Sequence, residues 1–134
     1  MTMHRMTIAI VLASLAPLAT VAARQAWTDA DSRWEAPAAQ ETRKNPLADR
    51  PDTHAGGAKL FKERCSACHA DDGTGTHRGP NLTTQRVQTQ SDGALFWKVT
   101  SGNTRTGMPA FSNMPELQRW QLVSHVRALV EAAP

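Results

Sequence analysis

Apolar residues recur at helical spacing in three stretches of this chain, and these stretches predict three helices. The first helix is predicted over residues 55–69. The second is capped by Ser91 or Asp92 and ends at Gly102. The third begins near Pro115 and is the strongest amphipathic segment, with apolar residues at Leu117, Trp120, Val123, Val126, Leu129 and Val130. No segment alternates convincingly as a strand would, so the predicted fold class is all-α with long loops.

The first 23 residues have the pattern of an export signal. Residues 1–23 hold a single formally charged side chain, an apolar run covers residues 7–18, and small residues occupy positions 21–23. A retained membrane anchor is the alternative, but residues 6–23 are at the short limit for a spanning helix and include Pro17. We therefore expect an exported, periplasmic protein that associates with a membrane only if this segment is kept.

Residues 24–55 are rich in Ala, Pro, Asp and Arg and predict an extended arm or linker before a domain over residues 56–134. Three prolines interrupt any long periodic element in the arm: Pro37, Pro46 and Pro51. Trp27 and Trp34 are unusual in a polar tether. These indoles either dock the arm onto the domain or a partner, or pack against their own neighbours in a short helical turn.

Charge gives no reason to expect a nucleic-acid partner. The chain of 134 residues has a formal net charge of +3, and loss of the signal with Arg5 would leave +2. The basic residues form no block along the chain. The sequence pI near 9.3 is therefore weak evidence for a polyanion partner.

The two cysteines of the chain lie in the run Cys65-Ser66-Ala67-Cys68-His69. A CxxC followed directly by His is typical of a covalent haem attachment site. If this run is one helical turn, two thiols can bond the porphyrin vinyl groups while His69 on the same face meets the iron. The alternatives are a thiol–disulfide pair, or a zinc site to which His77 adds a fourth ligand.

Met108 offers a second ligand for the iron. It lies between Gly107 and Pro109, which suit a rigid, non-helical loop. A thioether is a soft ligand that favours ferrous iron and raises the reduction potential. We interpret Met114 as a core residue and His77 as a solvent-exposed loop residue, although either type of side chain can bind haem iron.

Five features in order make the chain resemble the class I c-type cytochromes of bacteria, from about residue 57 to residue 130. They are Gly57 with Phe61, the CxxCH at residues 65–69, Gly79-Pro80-Asn81-Leu82, Met108-Pro109, and the last helix around residues 122–126. The resemblance implies a class I cytochrome c fold, in which three to four short helices wrap around one covalent haem c with long loops. A domain of about 80 residues is small enough to need such a covalent cofactor.

The resemblance also implies local geometry. The backbone carbonyl of Pro80 is expected to accept a hydrogen bond from the His69 ring, which would orient this ligand. Gly57 is expected to let the first and last helices cross closely, with Phe61 packed at the crossing. The chain departs from the family pattern at His125, where many relatives have an aromatic residue, and we interpret His125 as a half-buried packing residue.

Three further side chains are candidates for the haem propionates. Arg86 and Arg105 carry guanidinium groups that suit a carboxylate, although each is equally compatible with a solvated surface position. The indole N–H of Trp97 is a candidate too, but a core position is the preferred interpretation.

These predictions together describe an electron-transfer protein and not an enzyme, because a six-coordinate iron has no open position for oxygen or peroxide. The electron would pass between larger redox partners, and a dehydrogenase, an oxidase or a photosynthetic reaction centre is compatible. One alternative is a cytochrome subunit of a periplasmic dehydrogenase complex. Another is a haem enzyme in which the Met108 ligand is labile.

Overall fold

The structure is a computed structural model of the chain, and it describes residues 34–130. The predicted export signal over residues 1–23 and the first tryptophan of the arm, Trp27, lie outside the described residues. Within residues 34–130, no helix combines the length and apolar character needed to cross a membrane.

Six α-helices and one 3-10 helix make up the described chain, which contains no strand. They are α1 (Ala38–Glu41), the 3-10 helix Pro51–Thr53, α2 (His54–Arg64), α3 (Ser66–His69), α4 (Gln85–Gln88), α5 (Asp92–Ser101) and α6 (Glu116–Ala128). The all-α prediction is confirmed for these residues. The single turns α1 and α4 were not predicted, because four residues are too few to give a periodic pattern, and the backbone bends at Cys65 to divide the predicted first helix.

Both ends of α5 and the start of α6 agree with the capping residues that the sequence predicts. The Ser91 hydroxyl accepts a hydrogen bond from the Ala94 N–H at 3.0 Å and so caps α5. Gly102 ends this helix with a φ of +62°, in the left-handed region that glycine adopts without strain. Pro115 stands directly before α6, where its missing N–H removes no helical hydrogen bond.

The crossing of α2 and α6 forms the most extensive contact between helices in the described chain. A Cβ atom at Gly57 would strike the backbone carbonyl oxygen of Gln121, so the close approach requires glycine. Phe61 is buried beside it, and its ring centroid lies 5.0 Å from that of the half-buried His125. The packing roles predicted for Gly57, Phe61 and His125 are thus present.

Two groups of buried apolar residues form the core. The first group is Leu47, Leu95, Phe96, Trp120 and Val123, and the second is Phe61, Leu122 and Leu129. Val126 packs against both groups, so α6 is the element that joins them. Phe96 and Trp120 stack with ring centroids 4.0 Å apart, which ties α5 to α6 in the first group.

The structure differs from the prediction of an extended arm over residues 24–55, because the described part from Trp34 onward packs on the domain. Leu47 is only 6% exposed and belongs to the first core group. The side-chain amide of Asn45 donates a hydrogen bond to the Ser124 hydroxyl at 3.0 Å, and this pair is buried. The core therefore begins before residue 56.

Arg43 provides a second connection between the arm and the helices. Its guanidinium lies over the Phe96 ring, 4.4 Å from the centroid, and pairs with the Glu116 carboxylate at 2.6 Å. A Cβ atom at Gly93 would strike the backbone carbonyl oxygen of Gln40, so α1 and α5 also meet at a glycine. These connections are polar or depend on the backbone, which is why hydrophobic patterning did not reveal them.

Leu47→Ala should lower the free energy of unfolding of the holoprotein by about 2–4 kcal/mol, because it leaves a cavity in the first core group. Urea unfolding followed by far-UV circular dichroism measures the change. Leu117→Ala is the matched control, since Leu117 is 57% exposed and its truncation should cost less than about 0.5 kcal/mol. Equal small effects of the two variants would mean that the arm is not part of the core.

His125 should make the fold less stable in acid. Burial, with a smaller contribution from the neighbouring His54, lowers the pKa of His125 below its ordinary value of 6.5. The unfolded chain then binds the proton more readily than the folded protein, so stability falls as the pH drops through about 6.5 toward the lowered folded pKa.

The variant His125→Phe keeps a ring against Phe61 and removes the titrating group. Urea unfolding at a series of pH values should show a smaller loss of stability below pH ~6.5 than in the parent protein. His77→Gln, at an exposed histidine, should retain the parent's loss. A His125→Phe profile parallel to that of the parent would contradict the assignment.

Candidate haem site

A cavity of about 1010 Å³ lies between the two core groups. Its wall is largely apolar and includes Phe61, Leu82, Leu95, Val99, Leu122 and Val126. Helices α2 to α6 and the loops between them all contribute to this wall. The volume is at the upper end of the range for cofactor sites, and the wall suits a large apolar ligand.

The CxxCH run forms the turn that the sequence predicts. The backbone N–H groups of Cys68 and His69 both donate to the Cys65 carbonyl oxygen, each at 3.0 Å, so the run is wound into one turn. The side chains of Cys65, Cys68 and His69 all line the cavity. Two thiols and one imidazole are thereby presented to the same ligand, as covalent haem attachment requires.

The thiol of Cys65, before it reacts with a haem, is a weaker acid than an ordinary cysteine. Burial, reinforced by the neighbouring Cys68, raises the pKa of Cys65 to about 11, so the sulfur is neutral at physiological pH. An attacking thiol would have to be a thiolate, so the raised pKa disfavours the thiol–disulfide alternative. In addition, no three His, Cys, Asp or Glu side chains within residues 34–130 are grouped to hold a metal ion, and His77 is exposed. The geometry therefore gives the zinc alternative no support.

His69 is oriented by the loop that follows α3. Its Nδ1 lies 2.9 Å from the carbonyl oxygen of Pro80, which is the hydrogen bond that the resemblance implies. Because a carbonyl oxygen only accepts, Nδ1 carries the proton, and Nε2 is left without one and can bind a metal. A Cβ at Gly79 would come within 2.8 Å of the Cys68 carbonyl oxygen, so glycine lets this loop approach the turn.

Met108 lies in a loop just after α5 that is closed by backbone hydrogen bonds. Its N–H donates to the Asn103 carbonyl oxygen at 3.0 Å, and the Asn103 N–H donates to the Met108 carbonyl oxygen at 2.9 Å. Gly107 makes the turn with a φ of +87°. Met108 is half-buried and lines the cavity, whereas Met114 does not and packs instead in the second core group.

The charged side chains on the cavity wall are all cationic. They are Arg64, Arg78, Arg86 and Lys98, and no Asp or Glu is among the described residues that line the cavity. A porphyrin with two propionates is an apolar disc that bears negative charge, so wall and charge both fit haem. Of the propionate candidates, Arg86 lines the cavity, while Arg105 and the half-buried Trp97 do not.

The sequence analysis identified Trp34 as a residue that could dock the arm, but it did not predict that Trp34 lies on the cavity wall. Its ring lines the cavity next to Lys98, and its indole nitrogen Nε1 is buried with no hydrogen-bond partner among the described residues. A buried N–H without an acceptor costs on the order of 1–3 kcal/mol. Trp34 lies 31 positions before Cys65 in an irregular stretch, so no local pattern connected it to the site.

The comparison with protein families agrees with this geometry. The family model described as cytochrome c oxidase, cbb3-type, subunit III matches residues 52–126, from the 3-10 helix through most of α6. The match includes the CxxCH turn, Pro80 and Met108 and leaves out the packed part of the arm, which begins at Trp34. No curated protein and no solved structure matches the chain.

Replacement of both cysteines by serine should leave the haem extractable by acidified acetone, because no thioether then holds it. Cys65→Ser alone should keep one thioether through Cys68 and move the α-band of the pyridine haemochrome to longer wavelength. Ala67→Ser, at an exposed position between the cysteines, should retain the parent spectrum. Haem that resists extraction from the double variant would remove the cysteines from their role.

Proposed function

The chain belongs to the family of the cbb3-type cytochrome c oxidase subunit III and is a c-type cytochrome domain with covalently bound haem c, and on that premise we propose that it carries single electrons between larger redox proteins. One observation is the main support for this proposal. The two cysteine thiols and the His69 imidazole line one apolar cavity together with the Met108 thioether, which lies 39 positions after His69 in the sequence.

His69 and Met108 are the proposed axial ligands. The haem supplies an iron that takes up and releases one electron without making or breaking a bond in a substrate. Pro80 holds the proton of His69 on Nδ1, so that Nε2 is the nitrogen available to the metal. The paired hydrogen bonds between Asn103 and Met108 hold the thioether's loop in place, and a thioether ligand raises the reduction potential.

A role in electron transfer without catalysis follows from the same set of residues. With an imidazole and a thioether both bound, the iron has no open position for a small substrate. Among the described residues that line the cavity, His69 is the only histidine and none is an aspartate or glutamate. The described part of the wall therefore offers no carboxylate and no second imidazole to catalyse proton transfer.

The cationic residues at the cavity suggest how a redox partner docks. Arg64, Arg78 and Arg86 line the cavity and are exposed, so a partner with an acidic surface would be attracted to this side of the molecule. Proteins of this kind work with redox partners such as oxidases. A periplasmic location, reached through the export signal of residues 1–23, and an oxidase, dehydrogenase or reaction-centre partner are parts of the proposal.

Met108→Ala should keep the haem attached but lower the reduction potential by on the order of 100 mV, a fraction of the roughly 0.8 V range that axial ligands span. The ferric protein should lose the charge-transfer band of Met-ligated haem, and the reduced protein should bind carbon monoxide rapidly. Potentiometry and stopped-flow spectroscopy measure these changes.

Met114→Ala is the control for the loss of a thioether, because Met114 packs in the second core group and does not line the cavity. It should keep the parent potential and spectrum. The ligand assignment fails if Met108→Ala keeps both, or if Met114→Ala loses them. Rapid carbon monoxide binding by the reduced parent protein would instead favour a haem enzyme with a labile methionine.

A further inference from the structure

The side-chain amide of Asn103 is a buried polar group at the haem cavity. Only 8% of the residue is exposed, and its amide makes no hydrogen bond to the residues that the structure describes. Among those residues, the enclosed side-chain nitrogen and oxygen atoms without a partner are Trp34 Nε1 and Arg119 Nε, so the Asn103 amide atoms keep accessible surface. Because Asn103 lines the cavity and is otherwise buried, this surface opens into the cavity.

The pairing of Asn103 with Met108 determines the direction of the amide. The two residues form an isolated antiparallel bridge, in which each N–H donates to the other's carbonyl oxygen, at 2.9 and 3.0 Å. Directly opposite residues of an antiparallel pair project their side chains to the same side, with Cβ atoms about 5 Å apart. Met108 also lines the cavity, so the amide and the thioether project into it side by side.

The amide needs a partner once the cavity is filled. Haem c in this space would exclude water from the Asn103 side chain, and a buried amide without a hydrogen bond costs on the order of 1–3 kcal/mol. The nearest side chain that the bridge places beside it is Met108. A thioether bound to iron through one lone pair keeps a second lone pair, which can accept a weak hydrogen bond.

We propose that the side-chain amide of Asn103 donates a hydrogen bond to the Met108 sulfur and is a positioning residue for this axial ligand. The inference rests on the proposed ligation of iron by Met108. The hydrogen bond holds the thioether in the orientation in which its other lone pair faces the metal. It also draws electron density from the sulfur, which then stabilises ferric iron less, so the reduction potential rises.

The test is the reduction potential of the full-length holoprotein. Asn103→Leu keeps a similar branched shape and the backbone pair with Met108 but removes the amide. Because a hydrogen bond to sulfur is weak, the equilibrium constant for reduction should fall about threefold, which is about 30 mV for a one-electron couple.

Asn113→Leu is the matched control, since it makes the same change at an exposed asparagine that does not line the cavity. Its potential should equal that of the parent. Equal potentials in all three proteins, or an equal fall in both variants, overturn the proposal.

The charge-transfer band of Met-ligated ferric haem separates this inference from the proposed function. Asn103→Leu should keep the band, because Met108 is still bound. A parent protein without the band would refute ligation by Met108 and the role of Asn103 with it. A parent protein with the band, together with an unchanged potential in Asn103→Leu, would overturn the role of Asn103 alone.

A measurement on the parent protein covers the case in which Asn103→Leu fails to fold. In the reduced holoprotein, whose low-spin ferrous haem is diamagnetic, a nuclear Overhauser effect should connect the Asn103 side-chain amide protons with the Met108 ε-methyl protons. The absence of this effect overturns the proposal. So does an effect that connects the amide with the propionate methylene protons instead, because the amide would then bind the edge of the haem.

Discussion

The close crossing of α2 over α6 at Gly57 is the contact on which the rest of the structure depends. No other residue lets the two backbones approach so closely, because a Cβ would meet the Gln121 carbonyl oxygen. The crossing packs Phe61 against His125 and holds α2 against α6, and α2 ends at Arg64, directly before the CxxCH turn. Because α6 also supplies Val126 to the cavity wall, one contact positions the haem-binding turn and the apolar wall relative to each other.

Around the cavity, backbone contacts replace much of the helix packing that a larger domain would use. A hollow of about 1010 Å³ leaves the helices little surface to bury against one another, so the covalent cofactor completes the core. The loops reach the site at glycines: Gly79 lies against the Cys68 carbonyl, and Gly102 lies against Pro109 beside Met108. Both proposed axial ligands are thus held by loops that lack side chains at their closest points.

The parts of the fold and site that the sequence predicted are those with a local signature. The Ser91 cap is one example, and the CxxCH turn is another, because the spacing of three residues already determines their common face. The role of Gly57 came only through resemblance, since a glycine alone does not show what approaches it. Docking of the arm onto the domain was one of two alternatives that the sequence left open, because the buried Asn45–Ser124 pair joins residues 79 positions apart and the composition of one segment does not identify such a partner.

These long-range ties have a topological consequence. The Arg43–Glu116 and Asn45–Ser124 pairs join residues 73 and 79 positions apart. The two ends of the segment that surrounds the haem are therefore in contact, and the segment forms a closed circuit. The entropic cost of bringing the two ends of such a circuit together grows slowly with its length, by only about 0.6 kcal/mol for each doubling. Exposed loops such as residues 71–72 can therefore lengthen or shorten at little cost while the circuit stays closed.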